Sequence, residues 1–83
     1  MRIHVRLAEP FWRTVGQRDL ELELEDSAAI SDLLAVLQGR FPALVEEMAQ
    51  AQPHFFIDEQ ESGPETPLQD GARLHIVWPV AGG

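Results

Sequence analysis

Residues 19–25 read Asp-Leu-Glu-Leu-Glu-Leu-Glu, the strictest alternation in the chain. Successive side chains of an extended strand point to opposite faces, so Leu20, Leu22 and Leu24 share one face and Glu21, Glu23 and Glu25 the other. Such a strand is buried on one side and wet on the other, which calls for an open sheet. Residues 2–8 alternate in the same way, with Ile3, Val5 and Leu7 on one face and Arg2, His4 and Arg6 on the other. The short stretch between the two strands suits antiparallel neighbours. Their outer faces then complement each other in charge. Each exposed pair is worth only about 0.2–1 kcal/mol, but together such pairs help to set register. Phe11, Trp12 and Val15 in the connection are too apolar for a free loop and are expected to fold back over the end of the core.

Asp26 and Ser27 are candidate helix caps, because a short side-chain oxygen can accept from the first-turn N–H groups. Ile30, Leu33, Leu34 and Leu37 follow at i, i+3, i+4 and i+7, one helical face. Gly39 is placed to end this helix in a left-handed conformation. Pro42 is expected to open a second, short helix with Leu44, Val45 and Met48 on its buried side. Pro53 stops it, and Phe55, Phe56 and Ile57 form a third strand beginning at His54. Residues 59–67 are polar, acidic and rich in breakers, so they read as the most mobile loop. Leu68 anchors the chain back into the core, and Asp70-Gly71 is a turn signal. Residues 72–78 form the last strand, with Leu74, Ile76 and Trp78 inward and Arg73, His75 and Val77 outward.

The order is thus strand, strand, helix, strand, last strand. A crossover helix lets a later strand lie parallel to the first. The expected class is α+β, a β-grasp in which a mixed sheet of four to five strands packs on one main helix. A ferredoxin-like half or an irregular α+β sandwich has the same element count, and periodicity does not choose among them. Residues 1–83 read as a single domain, with 79–83 a flexible tail.

Composition narrows the function classes. A chain of 83 residues has a small core and little room for an enclosed active site. With no Cys it has no disulfide framework and no thiolate, which fits a reducing cytoplasm. A net charge of −8 disfavours nucleic acid and anionic membrane and favours a protein partner with a basic docking surface. No apolar run approaches a membrane span. His4, His54 and His75 are the only histidines. Two of them on one sheet face lack the third ligand of a zinc site, so no metal is expected. All six basic residues are Arg. Biased codon usage accounts for that, and it also leaves no ε-amine on the chain.

The chain closes on Trp78-Pro79-Val80-Ala81-Gly82-Gly83. Pro79 has no N–H and a fixed φ, so it steers the chain off the sheet. Gly82 and Gly83 carry no side chains and can pass a narrow channel. Extended, the tail from Pro79 reaches roughly 16 Å, enough to place its carboxylate in another protein's active site. Val77, Trp78, Pro79, Val80 and Ala81 flank the exit and are candidate partner-binding residues.

Three segments carry a family likeness: Leu7-Ala8 through Arg13-Thr14-Val15-Gly16, then Leu68-Gln69-Asp70-Gly71-Ala72-Arg73-Leu74, then Pro79-Val80-Ala81-Gly82-Gly83. In these the chain resembles the ubiquitin-like sulfur carriers of the MoaD/ThiS type, and among them the small subunit of molybdopterin synthase. Trp78 stands where that subunit often has another proline, a departure that leaves the reacting group untouched. The resemblance implies that Gly83 is adenylated by an ATP-dependent, ubiquitin-activating-type enzyme. A persulfide donor then converts it to a thiocarboxylate, with Gly82 giving access to the partner's site. The sulfur acceptor would be the molybdopterin synthase large subunit or another sulfur-accepting enzyme. Thiamin thiazole, cysteine, secondary-metabolite or tRNA thiolation pathways share the same tail chemistry. The chain itself would hold no cofactor and no catalytic machinery, ATP being used by the activating enzyme. A non-transferred ubiquitin-like adaptor and a protein conjugate through the same tail are the other readings.

Overall fold

The computed structural model describes residues 1–79. Five strands form one mixed sheet in the order β2-β1-β5-β3-β4. β1 (Arg2–Leu7) pairs antiparallel with β2 (Asp19–Glu23) and parallel with β5 (Arg73–Val77). β3 (His54–Ile57) runs antiparallel to both β5 and β4 (Gln60–Ser62). A parallel pair needs a long crossover. Here α2 (Ile30–Arg40) and α3 (Pro42–Ala51) supply it. The expected main helix is therefore followed by a second that is nearly as long.

Alternation places one apolar set under the helices. Ile3, Val5, Leu7, Leu22, Leu74 and Ile76 from the sheet meet Ile30, Leu33, Leu37, Leu44 and Met48 from the helices in one buried cluster. No polar or charged residue is buried among the described residues. The opposite face is charged. Arg2 lies across from Glu23, His4 from Glu21 and Arg6 from Asp19. Arg2 pairs with Glu23 at 3.1 Å, while His4 and Arg6 both reach Asp19, at 3.1 and 3.7 Å. Asp19 therefore does much of the pairing expected of the glutamate row.

Three local expectations are corrected. Asp26 and Ser27 do not cap α2. The cap position is Ala29, and Ser27 turns the chain at φ 72°. The first N–H groups of α2 find other acceptors: Ile30 donates to the Thr66 carbonyl at 3.1 Å and Ser31 to the Pro64 carbonyl at 2.9 Å. Asp32 reaches back to accept from the Ala29 N–H at 2.8 Å. Gly39 does not end the helix. It lies within α2, which closes at Phe41 with φ −135°.

Residues 59–67 are not a free loop. Asp58 and Glu59, at φ 48° and 73°, make a two-residue hairpin turn with both central residues left-handed. That turn starts β4, and the stretch after it carries the carbonyls that receive α2. The segment is held by two sets of backbone hydrogen bonds, which its polar composition hides. Leu68 is buried, and Gly71 turns at φ 83° before β5.

Candidate functional site

The tail leaves from the end of the sheet where β1 and β5 finish side by side. Ala8 donates to the Ile76 carbonyl at 3.0 Å, which holds the start of the β1–β2 connection against the end of β5. That connection contains α1 (Phe11–Val15), ended by Gly16 in the left-handed region at φ 93°. The peptide bond before Pro10 is cis. Phe11 is fully buried and joins the core, as its apolar character requires. Thr14 donates to Glu47 of α3 at 2.7 Å, fixing the outer side of α1.

Trp78 was expected to point inward, and it does so only in part. It lies one residue beyond β5 and is 41% exposed. Its ring meets Phe11 at a centroid distance of 5.3 Å and a 46° tilt, a favourable aromatic geometry. Trp78 is thus a surface residue clamped on a core residue, at the base of the tail. Pro79 follows, half-buried and outside any strand. Val77 sits opposite His54 and lines an open groove of the outer face with Phe56, His75 and Arg73. Val80, Ala81, Gly82 and Gly83 lie outside the described residues.

Two neighbours of the exit carry signals that pattern reading did not assemble. Two guanidinium groups approach the Trp12 ring, Arg13 at 5.4 Å and Arg18 at 4.9 Å from its centroid. Phe56 belongs to the outer face because the register sets it beside His75 of β5 and Glu61 of β4, which an unbroken Phe55-Phe56-Ile57 run does not reveal. His4 and His54 are each bound to one carboxylate, Asp19 at 3.1 Å and Glu61 at 2.9 Å. Among the described residues no three His, Cys, Asp or Glu side chains gather as a metal site. Among the described residues no helix is long and apolar enough to cross a membrane. The larger concavities are open grooves rather than enclosed chambers.

The family model described as the ThiS family matches residues 5–83. The chain belongs to the ThiS family. Small archaeal modifier protein 3 of Haloferax volcanii is 26% identical across the whole of both chains. The crystal structure of small archaeal modifier protein 1 from Haloferax volcanii superposes with a TM-score of 0.83 at 18% identity, covering all of both chains. A chain from the Helicobacter pylori complex of subunits 1 and 2 of the molybdopterin-converting factor superposes at 0.71 with 21% identity, again covering all of both chains. These two likenesses carry the fold, a ubiquitin-like β-grasp. With the family match they make this ThiS-family chain a ubiquitin-like carrier or modifier of the sulfur-carrier type.

Proposed function

We propose that Gly83 of this chain is the reacting residue and that the chain delivers sulfur as a C-terminal thiocarboxylate. The observation that carries this reading is the exit. Trp78 is clamped on Phe11, Pro79 stands outside the sheet, and the sequence continues into Gly82-Gly83. A carboxylate is a poor electrophile. Attack of its oxygen on the α-phosphorus of ATP releases pyrophosphate and gives an acyl-adenylate. A partner's persulfide then attacks the carbonyl carbon, AMP leaves, and an acyl persulfide forms. A second thiol cleaves the S–S bond, leaving the thiocarboxylate on Gly83 and a disulfide on the partner. None of these steps draws on a side chain of this chain. Its part is to present a narrow tail from a rigid base. Gly82 keeps the channel requirement small, and Val77, Trp78, Pro79, Val80 and Ala81 form the surface around the entry. The adenylating enzyme binds ATP, and the carrier holds no cofactor of its own.

Molybdopterin synthesis is the destination we favour, with this chain as the small subunit beside a larger catalytic one. What supports it is the Pro-Val-x-Gly-Gly ending together with the likeness to a chain of the Helicobacter pylori subunit complex. Conjugation to a partner lysine is a second reading, supported by the likeness to a protein named as a modifier. Deleting Gly82 and Gly83 tests what both share. The shortened chain is expected to melt at the same temperature and to support no ATP–pyrophosphate exchange. Unchanged activity without the two glycines would point to a non-transferred adaptor. Thiocarboxylate without any isopeptide-linked product would separate the carrier from the conjugate.

A further inference from the structure

The end of the molecule that releases the tail is charged differently from the rest. The chain has 14 acidic residues against six arginines. Yet an open cleft at this end is lined by Arg6, Arg18, His75 and Trp12, with Glu9 among its walls. One of its two arginines is engaged. Arg6 reaches Asp19 at 3.7 Å and Arg13, beside the cleft, reaches Glu9 at 3.3 Å. Arg18 has no carboxylate within ion-pair distance among the described residues. Its guanidinium lies instead over the Trp12 ring at 4.9 Å.

That stacking has a consequence for binding. The indole N–H of Trp12 is buried with no acceptor among the described residues, so the ring's face, not its polar edge, is in use. A guanidinium held over an indole ring has lost part of its rotational freedom already, while its N–H donors remain available to a planar acceptor. Less ordering then remains to be done on binding. The position is also fixed relative to the tail. The Arg18 carbonyl accepts from Leu7 at 2.7 Å, and Ala8 donates to Ile76 at 3.0 Å. Arg18 therefore stands two strand spacings, about 10 Å, from the end of β5. The extended tail reaches roughly 16 Å. A protein that receives the tail at Pro79 therefore brings its surface close to this cleft.

We infer that the cleft receives a carboxylate, from an Asp or Glu of the enzyme that adenylates Gly83, and that Arg18 is its principal contact. The inference rests on the proposed function. A single carboxylate matches one free guanidinium. A phosphate would bring more negative charge against Glu9. The chain as a whole is acidic and repels an acidic partner surface over most of its extent, so the cleft helps to set the orientation in which the tail enters. A basic partner surface, as net charge alone suggests, would meet Arg6 and Arg18 unfavourably at this end.

The test is ATP–pyrophosphate exchange catalysed by the adenylating enzyme of the same cells, with the full-length chain as the varied substrate. Arg18→Glu is expected to raise KM for the chain about tenfold and to leave kcat within about twofold, the pattern of a docking contact. Arg18→Lys should fall between, and added salt should raise KM less for Arg18→Glu than for the wild type. Arg40→Glu, at the far end of α2, should match the wild type. Arg18→Gln replaces the glutamate variant if the latter does not fold. An unchanged KM overturns the inference. So does an equal rise with Arg40→Glu, a loss confined to kcat, or a rise confined to KM for ATP, which would place a phosphate in the cleft. If the wild-type chain supports no exchange, the proposed function fails first and the inference with it.

Discussion

The ring of Phe11, buried in the core, and the ring of Trp78, 41% exposed at the foot of the tail, lie 5.3 Å apart. This contact joins α1 to the residue that precedes Pro79. It makes the tail's origin part of the folded body. Phe11→Ala removes a fully buried ring and is expected to cost about 3–5 kcal/mol. Trp78→Ala removes a half-wet one and is expected to cost less, about 1–2 kcal/mol. Urea unfolding of the two variants checks the order. Equal costs would mean that Trp78 is held by more than Phe11.

Two glycines are expected to respond with opposite sign. Gly39 lies in the interior of α2, with open space where a Cβ would stand. Gly39→Ala should therefore stabilise by about 0.5–1 kcal/mol. Gly71 has equally open space but sits at φ +83°, where an L side chain costs about 1–2 kcal/mol. Gly71→Ala should lower the melting temperature. A destabilised Gly39→Ala would place the left-handed helix end back at that glycine.

Glu59 is a non-glycine residue at φ 73° in the β3–β4 turn. Glu59→Gly is expected to relieve that strain and stabilise the chain by about 0.5–1 kcal/mol, because this turn type prefers glycine there. Thermal unfolding reads the sign directly. A loss of stability would mean that the Glu59 side chain, not the backbone, holds the hairpin.

Among the described residues Asp32 is the one side chain that closes the start of α2, accepting from the Ala29 N–H at 2.8 Å. Asp32→Ala should cost about 1 kcal/mol, from a lost cap and a lost negative charge at a helix N-terminus. Asp26→Ala, on the residue that sequence favours as a cap, should change stability by less than about 0.5 kcal/mol. A larger effect at Asp26 than at Asp32 would contradict the observed cap.

Periodicity was informative wherever one physical requirement ruled a segment. Leu20 and Leu22, Ile3 and Val5, and Leu74 and Ile76 lie on the buried face that their alternation demands. Ile30, Leu33 and Leu37 do the same for a helix. It misled where two requirements competed. Gly39 reads as a stop signal, yet packing of Leu37 and the following turn carries α2 past it. Asp26 and Ser27 read as caps, yet backbone carbonyls from residues 64 and 66, more than thirty residues away in sequence, occupy that role, and no local pattern reports them. The β4 hairpin was hidden because Asp58-Glu59 lacks the glycine that usually marks such a turn. At the exit, the departure of Pro79 from the strand was legible because its backbone chemistry is intrinsic. The Trp12–Arg18 contact was not, because it needs the β1–β2 connection to fold back on itself.

The most direct measurement is the intact mass of the chain purified from its own cells under mild conditions, before and after thiol alkylation. Replacing one terminal oxygen by sulfur adds about 16 Da, as does oxidation of Met1 or Met48, but only a thiocarboxylate is alkylated in a chain without Cys. An alkylated species mapping to Gly83 is the expected result. A terminus that is wholly unmodified in those cells, and inert to ATP and the adenylating enzyme in vitro, would contradict the carrier chemistry.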